Sequence, residues 1–323
     1  MLYYLYIVQN THKGIVMKDF LDFSSWSAKE LFELIELAVH LKREWKSGGN
    51  RPVLAGKVLA MVFQKPSLRT RVSFEVGMKH LGGDAIMLGP DEIGLGRRES
   101  IPDVARVLNG FVQGIMARVF DHAHVVELAQ WACVPVINGL RDDEHPCQAL
   151  ADMLTIYEHF GTLKGLKLTY VGDGNNVAAS LLLACAQFGL DFSIATPHGY
   201  EMPARFMVKA AQLASASGIK IKIETFTDPT AAVYQADVVY TDTWVSMGQE
   251  EEAEIRLPIF APYQVNDTLL RNAKPTAVVL HCLPAHRGQE ITDEVMDGAQ
   301  SLVFEQAENR LHAQKALLVR LLS

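Results

Sequence analysis

Residues 64–75, Gln64-Lys65-Pro66-Ser67-Leu68-Arg69-Thr70-Arg71-Val72-Ser73-Phe74-Glu75, join an apolar strand pattern to an amphipathic helix pattern. The preceding residues 57–63 (KVLAMVF) are mostly apolar and β-rich, which is typical of a buried strand. The amphipathic segment that follows ends at Gly82-Gly83, so Ser67 is predicted to cap the helix N-terminus. The stretch therefore predicts a strand, a turn and a helix in series, the unit from which parallel sheets are built.

The first turn of this helix is a predicted phosphate site. Free backbone N–H groups and the positive end of the helix dipole favour an anion there. Arg69 and Arg71 add fixed charge and bidentate donors, while Ser67 and Thr70 add hydroxyl groups. The alternative is a capped helix with two surface arginines, and the stretch alone favours neither interpretation.

Composition describes a globular protein with a substantial core. The 323 residues are 49% hydrophobic and 21% charged, which predicts a soluble chain of two ordinary domains. A net charge of −7 argues against nucleic acid or an anionic membrane as the main partner.

The four cysteines form no CxxC pair, which argues against a zinc site or disulfide framework and favours a reduced, cytoplasmic compartment. Residues 1–8 make a poor signal peptide, and residues 1–16 are interpreted as a dispensable extension.

Strand and helix patterns alternate along the whole chain. Strands are predicted at residues 57–63, 84–88, 114–119, 134–138, 166–171, 192–195, 221–226, 238–240 and 277–280. Residues 89–98 are predicted to be a Gly-rich loop and residues 139–144 a polar loop. The expected fold is α/β, with two doubly wound parallel-sheet domains and a cleft between them. We expect domains at residues 17–150 and 151–305, with a C-terminal helix at 306–323 packing back toward the first.

Polar residues follow several predicted strands of the first half. Arg118 ends one strand, and His145-Pro146-Cys147-Gln148 begins a helix after another. Ligands of parallel sheets bind beyond the carboxyl ends of strands, so Ser67, Arg118 and His145 are expected to converge. His145 and Gln148 are three residues apart on one helix face, where both side chains can donate to a carbonyl oxygen. The alternative for this tetrapeptide is a helix start with Pro at the first position.

A glycine-containing turn opens the second half. Gly172-x-Gly174 after a strand is half of a dinucleotide fingerprint, but Val177 occupies the third position. The favoured interpretation is a tight turn that exposes Asn175 or Asn176, whose amide suits a substrate carboxylate or amine.

Three further candidates lie closer to the C-terminus. Asp242 and Ser246 follow a strand, where a carboxylate and a hydroxyl four residues apart could hold an ammonium group, although an ordinary acidic surface loop is the default interpretation. Cys282 follows another predicted strand. Its thiol is interpreted either as a polar contact or as a buried structural group. Arg310 would by default be a solvated helix charge.

Four motifs occur in order between Met17 and Ser323, namely Ser67-Leu68-Arg69-Thr70-Arg71, His145-Pro146-Cys147-Gln148, Asp242 with Ser246-Met247-Gly248, and His281-Cys282-Leu283-Pro284. Together they resemble the aspartate/ornithine carbamoyltransferase family over nearly the whole chain. The last two motifs resemble the members that use ornithine, because the aspartate enzymes carry a His-Pro-Leu-Pro type segment. The resemblance implies transfer of the carbamoyl group of carbamoyl phosphate to the δ-amine of L-ornithine, giving L-citrulline and phosphate. Such a reaction serves arginine biosynthesis, or runs in reverse in arginine catabolism.

The resemblance also implies a role for each matching residue. Residues 17–150 are expected to bind carbamoyl phosphate and residues 151–305 to bind ornithine. The expected carbamoyl phosphate contacts are Ser67, Leu68, Arg69, Thr70, Arg71, Gly94, Arg118, His145, Gln148, Cys282, Leu283 and Arg310. The expected ornithine contacts are Asn176, Asp242, Ser246 and Met247. The expected catalytic residues are Arg118, His145, Asp242 and Cys282.

Two positions depart from the family pattern. Leu68 stands where Thr is frequent, and Gly94 stands where many members have Gln, in a loop that can serve a neighbouring subunit's site. The resemblance further implies a homotrimer or an assembly of trimers, and no metal or organic cofactor. The alternatives are a carbamoyltransferase for aspartate, putrescine or an acetylated ornithine, a non-catalytic regulatory relative, and an NAD-dependent oxidoreductase.

Overall fold

The computed structural model describes residues 18–246 and 248–323. The predictions for residues 1–17 and for Met247 therefore lie outside the described residues. Residues 18–25, 33–147 and 310–323 form one compact unit, which we call unit 1. Residues 26–32 and 148–309 form the other, which we call unit 2.

The first part of the chain builds a four-stranded parallel sheet. Its elements are α1 (Ala28–Lys46), β1 (Val58–Phe63), α2 (Leu68–His80), β2 (Asp84–Leu88), α3 (Pro90–Ile93), α4 (Ile101–Asn109), β3 (Gly114–Arg118), α5 (His122–Trp131) and β4 (Val136–Leu140). The strand order is β2-β1-β3-β4, and every neighbouring pair is parallel. The core of unit 1 includes Ala60 and Val62 of β1 and Ile115 and Ala117 of β3, all buried.

The second part builds a five-stranded parallel sheet. Its elements are α6 (Pro146–Phe160), β5 (Lys167–Val171), α7 (Asn176–Phe188), β6 (Asp191–Ala195), α8 (Ala204–Ala216), β7 (Ile223–Phe226), α9 (Pro229–Val233), β8 (Val238–Thr241), α10 (Ala253–Phe260), α11 (Asp267–Leu270), β9 (Val278–His281), α12 (Asp293–Met296) and α13 (Val303–Leu322). The strand order is β7-β6-β5-β8-β9, again parallel throughout. Within the described ranges, no helix is both long and apolar enough to cross a membrane.

Each sheet has one point where the chain reverses its direction of strand addition. In the first sheet this point lies between β1 and β3, and in the second it lies between β5 and β8. Ligands of doubly wound sheets bind outside the carboxyl ends of the strands at such switch points. The prediction of two parallel-sheet α/β domains is confirmed.

Helix caps explain where two of the helices begin. The backbone N–H of Glu30 donates to Ser27 Oγ at 3.3 Å, and that of Ser27 donates to Glu30 Oε2 at 2.9 Å, so these two residues form a capping box at the start of α1. Ser67 is the N-cap of α2, as predicted, and its Oγ accepts from the Thr70 N–H at 3.2 Å. Both caps satisfy backbone donors that the first helical turn leaves without partners.

Two boundaries differ from the sequence predictions. The predicted loop at residues 89–98 contains the single helical turn α3, which Pro90 begins and which ends at Gly94 with φ +60°. Strand β4 begins at Val136 rather than Val134, because Pro135 has no N–H to donate to a neighbouring strand. It continues through Gly139, where a Cβ atom would lie 2.4 Å from Met116 Sδ. A side chain at this position would require the Met116 side chain to move. Gly139 belongs to the strand and not to the predicted polar loop.

Candidate active site

The turn between β1 and α2 has the geometry of an anion site. Ser67 has an extended backbone conformation (φ −162°, ψ 119°) and is the last residue before α2. The first N–H groups of α2 and the positive end of its dipole therefore lie at this turn. Thr70 is buried, and its Oγ1 accepts a hydrogen bond from Arg310 Nη2 at 3.3 Å. The β1–α2 turn lies at the switch point of the first sheet, next to the end of β3.

The charges of three arginines act on the imidazole of His145 in unit 1. Arg118 is the last residue of β3 and pairs with Phe63 in the sheet register, which places it beside the β1–α2 turn. Burial is the main cause that lowers the pKa of His145 well below its usual range, and the charges of Arg310, Arg118 and Arg69 lower the pKa further. His145 is therefore a neutral imidazole at neutral pH. A neutral imidazole carries one N–H donor and one acceptor nitrogen.

Not every residue predicted to bind phosphate is buried at the turn. Leu68 is 74% exposed, so its contribution at this turn is its backbone N–H. Arg71 Nε lies 3.6 Å from Glu75 Oε2, an exposed pair one turn along α2. Gly94 ends α3, where its N–H donates to the Pro90 carbonyl at 2.8 Å. The substrate roles of these three residues stay predictions.

Cys147 does not resemble a reactive thiol. Its Sγ lies 3.2 Å from the Asn138 carbonyl oxygen, to which it donates. Burial raises the pKa of this thiol to about 12, which keeps it protonated. Cys147 therefore joins the start of its helix to β4.

A hydrogen-bonded carboxylate lies at the switch point of the second sheet. Asp242 directly follows β8 and is buried. Its Oδ2 accepts from Asn175 Nδ2 at 2.9 Å, and its Oδ1 accepts from Cys282 Sγ at 3.0 Å and from the Thr243 N–H at 2.8 Å. These residues follow β5, β8 and β9, which are adjacent in the sheet, so the strand order brings them together.

The turn after β9 is held by a buried histidine. His281 Nδ1 accepts from the Leu283 N–H at 2.9 Å, which leaves Nε2 to donate to Glu290 Oε1 at 3.2 Å. Leu283 has a left-handed φ of +60° and packs partly against the core of unit 2. His281 thereby fixes the backbone on both sides of Cys282.

The loop after Asp242 is attached to the sheet by Arg256. Arg256 is buried in α10, its Nε donates to the Trp244 carbonyl at 2.6 Å, and its Nη2 pairs with Asp173. The guanidinium carbon also lies 4.8 Å from the Tyr200 ring centroid, within cation–π range. Within the loop, the Ser246 N–H donates to Gln249 Oε1 at 3.0 Å. Arg256 and Asp173 therefore hold the segment that presents Ser246.

Two predicted residues lie at helix starts in unit 2. Gln148 is in the first turn of α6, and its Nε2 donates to Asp152 Oδ1 at 2.8 Å. Asn176 is the first residue of α7, immediately after the cap residue Asn175. Asn175 Oδ1 accepts from the N–H groups of Val177 and Ala178 at 3.0 and 3.1 Å.

The sequence did not reveal which side chains hold Asp242 and the loop after it in place. It offered Asn175 and Asn176 as equal candidates for the exposed amide, yet Asn175 both caps α7 and orients Asp242. Adjacency to a strand end was the available signal for Asn175. For Asp173 and Arg256, which lie 83 positions apart, the local sequence carries no signal of their pairing.

One group of side chains has atoms placed as metal ligands would be. The ligand atoms of Asp242, His281 and Cys282 all lie within 4.8 Å of one another. Each of these side chains makes a hydrogen bond described above, and a cation bound there would have to replace such bonds. The arrangement suits a hydrogen-bonded site for an amine as well as it suits a metal.

The fold and the two switch-point sites define a class of two-domain α/β proteins in which one domain binds an anion and the other carries a carboxylate. Two family models cover nearly all of the chain. The aspartate/ornithine carbamoyltransferase carbamoyl-P binding domain matches residues 18–158, and the aspartate/ornithine carbamoyltransferase Asp/Orn binding domain matches residues 164–321. The chain belongs to the aspartate/ornithine carbamoyltransferase family.

Individual relatives agree with this assignment. The chain is 55% identical over 305 residues to an ornithine carbamoyltransferase of Anoxybacillus flavithermus, covering 94% of this chain and 96% of the relative. It is 54% identical to an anabolic ornithine carbamoyltransferase of Pyrococcus furiosus, covering 93% and 95%. The solved structure of the ornithine carbamoyltransferase from Pyrococcus furiosus superposes with a TM-score of 0.91 at 53% identity, covering 95% and 97%.

Proposed function

We propose that this chain is an ornithine carbamoyltransferase, which transfers the carbamoyl group of carbamoyl phosphate to the δ-amine of L-ornithine. The products are L-citrulline and inorganic phosphate. The observation that carries the proposal is the capped start of α2 beside a neutral His145 and the cations Arg69, Arg118 and Arg310. Relatives of more than half identity that bear this name support it.

Unit 1 would hold the carbamoyl phosphate. The hydroxyls of Ser67 and Thr70, the guanidinium groups of Arg69 and Arg71 and the Leu68 N–H would bind the phosphate, which leaves as a stabilised anion. Arg118, Thr70 and the neutral His145 would donate to the carbonyl oxygen as it becomes a tetrahedral oxyanion. One such donor is typically worth about 3–4 kcal/mol. We assign Gln148 and Arg310 to the carbamoyl end of the same substrate.

Unit 2 would hold the ornithine. The chemistry needs an uncharged amine, whereas a free alkylammonium with a pKa of about 10.4 is mostly protonated at neutral pH. Asp242 and Cys282 would position the δ-nitrogen, and one of them or the departing phosphate would accept its proton. Asn176, Ser246 and Met247 would bind the rest of the amino acid, and Leu283 would contact the carbamoyl group.

The charge at this site favours ornithine over aspartate. The Asp242 carboxylate is buried and accepts hydrogen bonds on both oxygens. A second carboxylate brought beside it by an aspartate substrate would meet like charge in a partly desolvated site. A cationic side chain meets the opposite charge there. The site thus supports an amine substrate without an acidic side chain.

We further propose a cytoplasmic homotrimer, or an assembly of trimers, that acts in arginine biosynthesis or in the reverse direction. An anabolic relative supports the biosynthetic direction. In such an assembly the loop carrying Gly94 would approach a neighbouring subunit's site. Light scattering of the purified protein tests the oligomeric state, with a mass of three chains or a multiple expected and a monomer contradicting it.

A panel of amines tests the reaction. The purified protein is mixed with carbamoyl phosphate and, in separate wells, with L-ornithine, L-aspartate, putrescine or N-acetylornithine. We expect citrulline from ornithine and no comparable product from the others. Product from another amine alone would overturn the assignment of Asp242 and Ser246. No product from any amine would identify a non-catalytic relative.

A further inference from the structure

Helix α13 lies directly against the phosphate-binding helix α2 within unit 1. Arg310 Nη2 contacts Thr70 Oγ1 at 3.3 Å, at the first turn of α2. Two turns farther along, a Cβ on Gly77 would lie 3.4 Å from Lys315 Cγ and 3.5 Å from Leu318 Cδ1. These distances place α13 in van der Waals contact with α2 over at least two turns.

Between these contacts lies Gln314, a buried glutamine with an unusual set of partners. We assign the orientation of its amide from the surrounding groups: the oxygen then accepts from Arg310 Nη2 at 3.0 Å, and the nitrogen donates to the Arg310 carbonyl at 3.2 Å and to Ser73 Oγ. This orientation gives each end of the amide a complementary partner, whereas the reverse would place the oxygen against acceptors. Ser73 Oγ gives its own hydrogen to the Arg69 carbonyl at 2.6 Å, so it accepts from Gln314.

The hydrogen bonds from Gln314 reach the phosphate turn by two routes. One runs through Ser73 to the backbone of Arg69, and the other runs through the Arg310 guanidinium to the Thr70 hydroxyl. Arg69, Thr70 and Arg310 all have substrate roles in the function proposed above. Gln314 itself has none.

We propose that Gln314 is a positioning residue, which aligns Arg310 and the first turn of α2 for the phosphorylated substrate. The inference rests on the proposed function for the identity of that substrate. A guanidinium on a long side chain has many rotamers, and an acceptor at a fixed place on the same helix selects one of them. Because Gln314 also holds Ser73, movement of Arg310 and movement of the phosphate turn are coupled.

The direct test replaces Gln314 with methionine, which has a similar length and no amide. Calorimetric titration with inorganic phosphate is expected to show roughly three- to tenfold weaker binding for Gln314→Met, since one hydrogen bond to each route is lost. Turnover should show the same change in KM for carbamoyl phosphate with an unchanged KM for ornithine. Unchanged phosphate affinity, or a shift confined to the ornithine KM, would overturn the proposal.

Gln187→Met is the matched control for a loss of stability alone. Gln187 is a buried helical glutamine in unit 2, and its Nε2 donates to the Trp26 carbonyl at 2.9 Å. We expect this variant to lower the thermal midpoint while phosphate affinity stays at the wild-type value. Equal weakening of phosphate binding in both glutamine variants would mean a general effect of destabilisation and would overturn the specific role.

Ser73→Ala tests the second route and decides the matter if Gln314→Met does not fold. Ser73→Ala should weaken phosphate binding at least about twofold. The double variant should bind phosphate no more weakly than Gln314→Met alone, because both substitutions break the route through Ser73. Wild-type phosphate affinity in Ser73→Ala would contradict that coupling. Phosphate titration needs no turnover, so a wild-type protein that makes no citrulline would refute the proposed function and leave this test intact.

Discussion

Among the individual residues of unit 1, three arginines act on one imidazole. Arg310, Arg118 and Arg69 all disfavour protonation of His145, and burial acts in the same direction. The same three cations attract a phosphate. In the proposed function, one arrangement would thus bind the anion and keep a neutral N–H donor beside it.

Arg69→Ala tests the phosphate role. We expect it to lower kcat/KM for carbamoyl phosphate by at least roughly 10³-fold, because a bidentate, charge-assisted contact disappears. The circular dichroism spectrum and the thermal midpoint should stay close to wild type. Arg43→Ala, an exposed arginine in the last turn of α1, is the matched control and should leave the kinetics unchanged. Near-normal carbamoyl phosphate kinetics in Arg69→Ala would refute the role.

His145 is expected to act as a hydrogen-bond donor and not as a proton-transfer group. His145→Ala should therefore lower kcat by about 10²- to 10³-fold, the usual loss for one oxyanion donor. His145→Asn, which keeps an N–H group, should recover part of that loss. Steady-state kinetics of both variants at saturating substrates measure the difference. An Asn variant no better than the Ala variant would contradict the donor role.

At the scale of elements, the close approach of backbone segments positions the polar groups of unit 2. The turn that carries Asn175 packs so tightly that a Cβ on Gly174 would lie 2.3 Å from the Met202 nitrogen. The Gly174 N–H also donates to the Tyr200 carbonyl at 2.9 Å. Asn175 can reach Asp242 only while this turn stays in place.

Gly174→Ala should therefore damage both stability and ornithine binding. We expect a loss of about 1–3 kcal/mol in the free energy of unfolding from overpacking, together with a raised KM for ornithine. Urea denaturation and initial rates measure the two effects. Gly110→Ala is the control, because its added Cβ would have only an ordinary contact at 3.6 Å, with the Val107 carbonyl. An unchanged ornithine KM in Gly174→Ala would show that Asn175 does not depend on the turn.

These elements also show what the sequence can predict. Ser67 was identifiable as a cap because a small polar residue stands between an apolar strand and an amphipathic helix, and Arg118 and His145 were identifiable at strand ends. The hydrogen bond from Asn175 to Asp242 was not identifiable, since it depends on β8 lying beside β5, and local sequence does not encode strand order. The role of Gln314 depends in the same way on how α13 packs against α2.

At the scale of the molecule, a buried lysine couples the stability of unit 1 to pH. Lys315 is fully buried, its Nζ donates to Asn50 Oδ1 at 2.6 Å, and burial lowers its pKa to about 8. In the unfolded chain the pKa of a lysine is about 10.4. Between these values the unfolded chain binds more protons than the folded one. The free energy of unfolding should therefore rise with pH across this window as far as Lys315 contributes.

Lys315→Met should remove this contribution. We expect the variant to show a flatter pH dependence of unfolding between pH 8 and 10, by about 2 kcal/mol over that range. Urea midpoints at several pH values measure it, with the exposed Lys46→Met as control. A pH dependence identical to that of wild type would mean that Lys315 titrates alike in the folded and unfolded chains.

We propose that the anion site of unit 1 and the carboxylate site of unit 2 serve one transfer reaction. The most direct measurement follows phosphate and citrulline together in a single reaction of the wild-type protein with carbamoyl phosphate and L-ornithine. We expect one phosphate for each citrulline, and without ornithine only the slow release that carbamoyl phosphate undergoes in buffer. Phosphate release without citrulline, or no enzyme-dependent release at all, would contradict it.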